Sequence, residues 1–208
     1  MSEVYFDKKN YEYATMYGNY PNTQDELIDF LFDRYHLTQQ DIQSEENQIK
    51  DILWNEEEFT VFVVPKGSPR PRTGGFHFYV KGASENKRIF KEFLKSHNII
   101  YTRCELELTT YHPTPISSMT KKEIILAEKG LIRPISTPDF DNLAKTYTDA
   151  LQGILLLNDN IINEGTVKKY FSIKPRIHIK LKWQNNFDSK YNERKTINSK
   201  GYRNLFEK

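Results

Sequence analysis

Residues 138 to 159 read PDFDNLAKTYTDALQGILLLND, and Asp139, Asp141, Asp159 and Lys145 are the side chains in that stretch that can do chemistry. Carboxylates held close together repel one another or stay protonated unless a cation lies among them. Hard oxygen donors suit Mg2+, with Mn2+ as a substitute, better than zinc, and Mg2+ takes a few carboxylates while water and phosphate oxygens complete its shell. A lysine alongside stabilises charge that develops on phosphorus or on a leaving oxygen. The chemistry this set suits is metal-assisted hydrolysis of a phosphodiester.

The elements that must position these groups follow from spacing. Phe140, Leu143, Tyr147, Leu151 and Ile154 recur at three- and four-residue steps, which predicts a helix with one apolar face beginning near Phe140. Asp141, Lys145 and Asp149 then line a second face, each four residues from the next. Asp139 joins Asp141 only from an extended residue before the helix, and Pro138 with a polar N-cap suits that. Gly153 is a helix stop, and Ile154 to Leu157 is a short apolar strand that delivers Asn158 and Asp159. On this reading the three carboxylates converge. The same residues also permit a plainer account: Asp139 a cap, Asp141 with Lys145 a solvated pair contributing ~0.3 kcal/mol, and Asn158 to Asn160 a turn.

Composition narrows the class. The chain has 208 residues, one cysteine and a net charge of +2, so an internal disulfide is excluded. No apolar run is long enough to span a membrane and residues 1 to 20 lack a signal-peptide core, so a cytoplasmic protein is expected. The charge is divided: residues 1 to 58 hold 4 Lys+Arg against 14 Asp+Glu, a balance of −10, whereas residues 59 to 208 carry +12. Such asymmetry points to two functional parts, the basic one directed at a polyanion. The five histidines show no zinc-ligand spacing, and there is no P-loop or dinucleotide fingerprint.

An acidic helical extension over 1–58 is expected, with Thr23 and Thr38 opening two helices. It is a candidate surface for a protein partner or for competition with nucleic acid. Residues 59–183 form the main domain. Its order is a strand at 59–64, a flexible loop carrying Arg70 and Arg72, a strand at 76–80 and a helix from Ser84. A strand over 99–110, with Cys104 on its apolar side, leads to a helix from Thr120 to Gly130 and a short strand at 132–135. After Asp159 come a strand over 161–173, turning near 163–165, and another over 173–183. Strands and helices in this order indicate an α+β, mixed α/β, domain. Lys168 and Lys169 lie just past the acids, while Lys174, Arg176, His178, Lys180 and Lys182 share one face of the last strand, a track for a DNA backbone. Residues 184–208 are a polar, basic tail.

The pattern Pro138-Asp139-x-Asp141-Asn142-Leu143-x-Lys145, then Asp149-Ala150-Leu151, then Asp159 followed by Ile161, resembles the RusA family of Holliday-junction resolvases. The resemblance includes Val64 to Arg72 upstream and covers roughly residues 59 to 183. It implies a Mg2+-dependent endodeoxyribonuclease acting as a homodimer on branched DNA in recombination and repair. Asp139, Asp141 and Asp159 then match the metal-binding catalytic aspartates and Lys145 the catalytic lysine, with Asn142 and Asp149 as supporting groups. Where relatives often carry two aspartates this chain has Asn158-Asp159, so the second is the ligand. A nuclease specific for flaps or forks, and a non-catalytic junction-binding adaptor acting through residues 1–58, are the alternatives.

Overall fold

The computed structural model describes residues 23–67, 88–94, 98–136 and 138–184. These fall into two compact units divided between Ile52 and Leu53. In the first, Thr23 and Thr38 each close a capping box, with Glu26 and Asp41 respectively, and open helices α1 (Gln24–Tyr35) and α2 (Gln39–Lys50). Both are polar around most of their circumference, and neither contains a buried residue.

The second unit is built on a four-stranded sheet in the order β1-β4-β2-β3. The strands are β1 (Trp54–Val61), β2 (Cys104–Pro113), β3 (Ile162–Ser172) and β4 (Arg176–Gln184). β4 runs antiparallel to both β1 and β2, and β2 and β3 are parallel. A parallel pair needs a long crossover. Here the crossover carries helices α3 (Lys121–Glu128) and α4 (Phe140–Leu151).

Alternation gives each strand two faces. Phe59, Val61, Leu106, Leu108, Ile177, Ile179 and Leu181 point to one side, where they pack with Phe90 from the helical stretch at 88–93, with Leu94 just after it, and with Leu143, Tyr147, Ala150 and Leu151 of α4. Each large side chain in this core contributes roughly 1.5–3 kcal/mol by leaving water. Cys104 is part of it, and burial, with Glu105 beside it, pushes its thiol up to about 12. The other face is polar, as in a mixed sheet packed on one side only. Among the described residues no helix is long and apolar enough to cross a membrane.

Several elements differ from expectation for reasons of tertiary pairing. β1 begins at Trp54 rather than Phe59, because register with β4 draws Glu56, Glu57 and Glu58 opposite Lys182, Leu181 and Lys180. The acids assigned to the end of the N-terminal extension are therefore strand residues of the main unit. Residues 132–135 are not a strand, and 154–157 form a turn in which Leu156 makes isolated bridges to Ile100 and Gln152. The turn expected near Asn163 is a bulge: Cys104 faces Ile162 but Glu105 faces Glu164. In the orientation that satisfies both of its ends, the Asn163 amide donates to the Cys104 carbonyl at 2.8 Å and accepts from Arg103 Nε at 2.7 Å. The last strand starts at Arg176, leaving Ile173 exposed. The strand expected at 76–80 and the tail beyond Gln184 lie outside the described residues.

Candidate active site at the start of helix α4

The apolar stripe of α4 buries Leu143, Tyr147 and Leu151 to 0–1% exposure, yet Phe140 remains 60% exposed. The stripe therefore starts one turn later than its spacing suggests. The first turn, with Asp139, Phe140 and Asp141, projects into solvent. Asp139 occupies the N-cap position in extended backbone, but its carboxylate makes no cap hydrogen bond. Its carbonyl accepts from Leu143 N at 3.0 Å. Asp139 thus directs the chain into the helix through its backbone, and capping does not account for its carboxylate.

Three contacts hold this end of the helix. Tyr147 passes its hydroxyl to the Lys66 peptide, accepting from the backbone N–H at 3.0 Å and donating to the carbonyl at 3.2 Å. Burial pushes that phenol up to about 12. Gly67 follows at close approach: a Cβ there would stand 2.5 Å from Asn142 Nδ2 and 2.9 Å from Pro138 Cβ. Across the sheet edge, Lys169 Nζ donates to the Ser136 carbonyl at 2.6 Å and the Pro138 carbonyl at 2.9 Å. The segment that presents Asp139 is pinned from β3, and the start of the loop after β1 is pinned to α4.

Asp159 is not brought here. Val61 at the end of β1 pairs with Ile177, which pairs with Thr110, which pairs with Lys169, so Gly67, Pro138 and Asp139 all lie at that one end of the sheet. Asp159 begins a short 3-10 turn that leads into Ile162, and Ile162 pairs with Cys104 at the opposite end. The seven steps of β3 from Ile162 to Lys169 span about 23 Å, and α4 runs about 18 Å between the same ends. Among the described residues no group of three or more His, Cys, Asp or Glu side chains is placed to hold one metal ion. The strand register thus sets Asp159 at the other end of the sheet from the start of α4 that carries Asp139 and Asp141. The stop at Gly153 does form, with φ 74°, but the turn after it leads to Ile100, shortly before the start of β2.

The remaining site residues are placed as follows. Lys145 and Asp149 are exposed on α4 beyond Asp141, and Asn142 is half-buried against Gly67, its backbone carbonyl accepting from Thr146 Oγ1 at 2.6 Å. Arg70 and Arg72 lie outside the described residues. The basic face of β4 is not continuous once its neighbours are in place. Lys180 pairs with Glu56, Lys182 lies 3.5 Å from Glu56, His178 lies 3.8 Å from Glu58, and Lys168 pairs with Glu107 at 2.8 Å. The Lys180 ammonium holds the Glu56 carboxyl below its ordinary range. Lys174 lies over the Phe62 ring at 4.3 Å and Arg176 over Tyr111 at 3.5 Å. The sequence pattern placed Tyr147 only on the apolar stripe and Gly67 only in the upstream motif, and it gave His112 no role. The last is buried, bonded to Thr110 Oγ1 at 3.1 Å and held below its ordinary pKa by burial and then by Lys169.

Comparison with known proteins bears on this arrangement. The sequence pattern of the endodeoxyribonuclease RusA family matches residues 62–182. The chain is also 31% identical over 136 residues to the uncharacterized protein YqaN of Bacillus subtilis (strain 168), an alignment that covers 60% of this chain and 94% of that protein.

Proposed function

The chain belongs to the endodeoxyribonuclease RusA family, and on that premise we propose that it resolves four-way DNA junctions by paired phosphodiester hydrolysis, acting as a Mg2+-dependent homodimer in recombination and repair. The observation that carries the reading is the family motif at an exposed helix start, Asp139 and Asp141, with the third acid held at the other end of the sheet. Among the described residues of one chain no such donor set is gathered; on our reading two copies related by a two-fold axis complete it, the α4 start of each meeting the Asp159 turn of the other. An isologous contact of that kind creates two equal sites at once. Two equal sites suit a substrate cut at two symmetric positions.

The carboxylates are the oxygen donors that Mg2+ or Mn2+ takes, and the cation supplies neutralising charge at the scissile phosphate. Within one chain the roles follow from position. Asp139 and Asp141 present carboxylates from an extended residue and a first helical turn. Lys145, one turn beyond Asp141, supports charge on the reacting phosphate. Asn142 and Asp149 act in support, Asn142 from its seat against Gly67. Lys66, its backbone fixed by Tyr147, shortly precedes in sequence Arg70 and Arg72, the cations proposed for DNA contact.

The test uses wild type and Asp141→Asn with labelled four-way junction, fork, flap and linear duplex, with and without Mg2+. Symmetric, Mg2+-dependent nicks on the junction, with binding but no cutting by the variant, are expected. Preferential cutting of forks or flaps would replace the substrate. Binding without cutting by wild type would favour an adaptor, and equal cutting by the variant would remove Asp141 from the catalytic set.

A further inference from the structure

The open face of the sheet carries a feature that the acid motif does not use. Tyr111 on β2 pairs in register with Arg176 on β4 and, on its other side, with Tyr170 on β3. The two tyrosine rings stack, with centroids 5.5 Å apart and planes 23° from parallel. The Arg176 guanidinium lies 3.5 Å from the Tyr111 centroid, and that of Arg133, from the connector after α3, lies 4.1 Å from the Tyr170 centroid. The result is a row of cation, ring, ring and cation running across three strands and over the sheet edge.

Each guanidinium is fixed by further bonds. Arg133 donates from Nε to the Gly130 carbonyl at 3.1 Å and from Nη2 to the Tyr170 hydroxyl at 3.0 Å. Arg176 donates from Nη1 to Ser172 Oγ at 3.1 Å and to the Lys174 carbonyl at 3.0 Å. Gly130 lets the connector lie against the ring, since its φ is 75° and a Cβ there would stand 3.0 Å from Tyr170. Glu128, the acid nearest in sequence to this connector, is engaged with Ser172 Oγ and the Ile173 N–H, both at 2.9 Å.

Among the described residues, the lysines Lys168, Lys180 and Lys182 on this face pair with glutamates, whereas neither Arg133 nor Arg176 pairs with a carboxylate. The uncompensated charge of the face is thus gathered in this row, beside Lys174 over Phe62. Ring and backbone contacts use only some of the five donors of each arginine. The rest form a fork whose geometry matches phosphate and whose ordering cost has been met in the fold. The row also stands at the acid-bearing end of the sheet, because Arg133 and Asp139 belong to one connector that Lys169 clamps.

We infer that the Arg176–Tyr111–Tyr170–Arg133 row is a docking site for the phosphate backbone of DNA. The inference rests on the nuclease reading and adds to it a surface outside the acid motif. The two guanidiniums reach different phosphates, since charges on one strand recur every ~3.4 Å along the duplex axis.

The test is junction binding by the full chain, in the Asp141→Asn background, measured across a salt series with Arg133→Gln and Arg176→Gln combined. Melting temperature is recorded alongside, and the pair Arg133→Lys with Arg176→Lys is included. Loss of the two contacts lowers the slope of log K against log salt by about 2, with an unchanged melting temperature. The lysine pair keeps the slope and loses affinity. If the glutamine pair does not fold, the lysine pair decides: affinity equal to the parent overturns the inference. So does a glutamine pair with the parental slope, or one that binds DNA more tightly, as when the row holds an acidic protein segment instead. Failure of the parent to bind any branched DNA would sink the nuclease reading itself, a result distinct from these.

Discussion

His112 shows what a buried titratable group does at the edge of this site. It is 8% exposed, bonded to Thr110, and lies on the face of β2 that Lys169 shares. Burial first, and the Lys169 ammonium second, push its pKa below the ordinary 6.5. The folded chain keeps the ring neutral at a pH where the unfolded chain protonates it. Stability from this residue is therefore present above about pH 6.5 and is lost as pH falls from there through the depressed folded value. Melting temperature should fall along that limb for wild type and fall less for His112→Gln; parallel curves would show that His112 is not the titrating group. The residue was passed over in the sequence because a lone histidine in an alternating stretch shows neither its burial nor its neighbours.

At the scale of elements, the connector from Gly130 to Asp139 links α3 to α4 across the β3 edge. Adjacent residues of β3 hold it from opposite faces of the sheet, Tyr170 under Arg133 and Lys169 at the carbonyls of Ser136 and Pro138. Lys169 was expected to contact DNA, since the sequence shows only a lysine beside a lysine. In the fold its ammonium is engaged with the backbone that presents Asp139, and we propose a positioning role for it. Charge-assisted bonds contribute about 1.5–3 kcal/mol each. Lys169→Met, which removes two of them, should then lower stability by about 3 kcal/mol or more and reduce the cleavage rate, with junction affinity and its salt dependence retained. Reduced affinity with an unchanged turnover of bound junction would return Lys169 to the DNA-contacting set. Lys169→Arg, which can reach the same carbonyls, should recover part of the rate.

For the whole molecule, the separation of Asp159 from Asp139 and Asp141 leads to a test by mixing. In a heterodimer of Asp141→Asn with Asp159→Asn, a site shared between copies is doubly damaged on one side and intact on the other. Each variant alone is expected to be inactive, and co-refolded mixtures should recover single nicks on the junction but no paired cuts. Mixtures that stay inactive while heterodimers demonstrably form would place all three acids in one chain.

Much of the local structure around the site was legible without the fold. Residue type and spacing specified the helix at 140–151, the extended Asp139 before it, the capping boxes at Thr23 and Thr120, and the alternation of β4, because these depend on local backbone geometry and on periodic burial. The family motif is likewise a local string. Whatever depends on which strand lies beside which was decided by tertiary structure. Glu56 and Glu58 neutralise the basic face of β4 only because β1 pairs with it 116 to 130 residues away along the chain. The arginine–tyrosine row exists only because β2, β3 and β4 stand in register. Asp159 lies far from Asp139 because α4 spans the sheet from one end to the other. Sequence periodicity fixes the face on which a side chain points, but long-range pairing sets its neighbours, and charge and metal binding depend on neighbours.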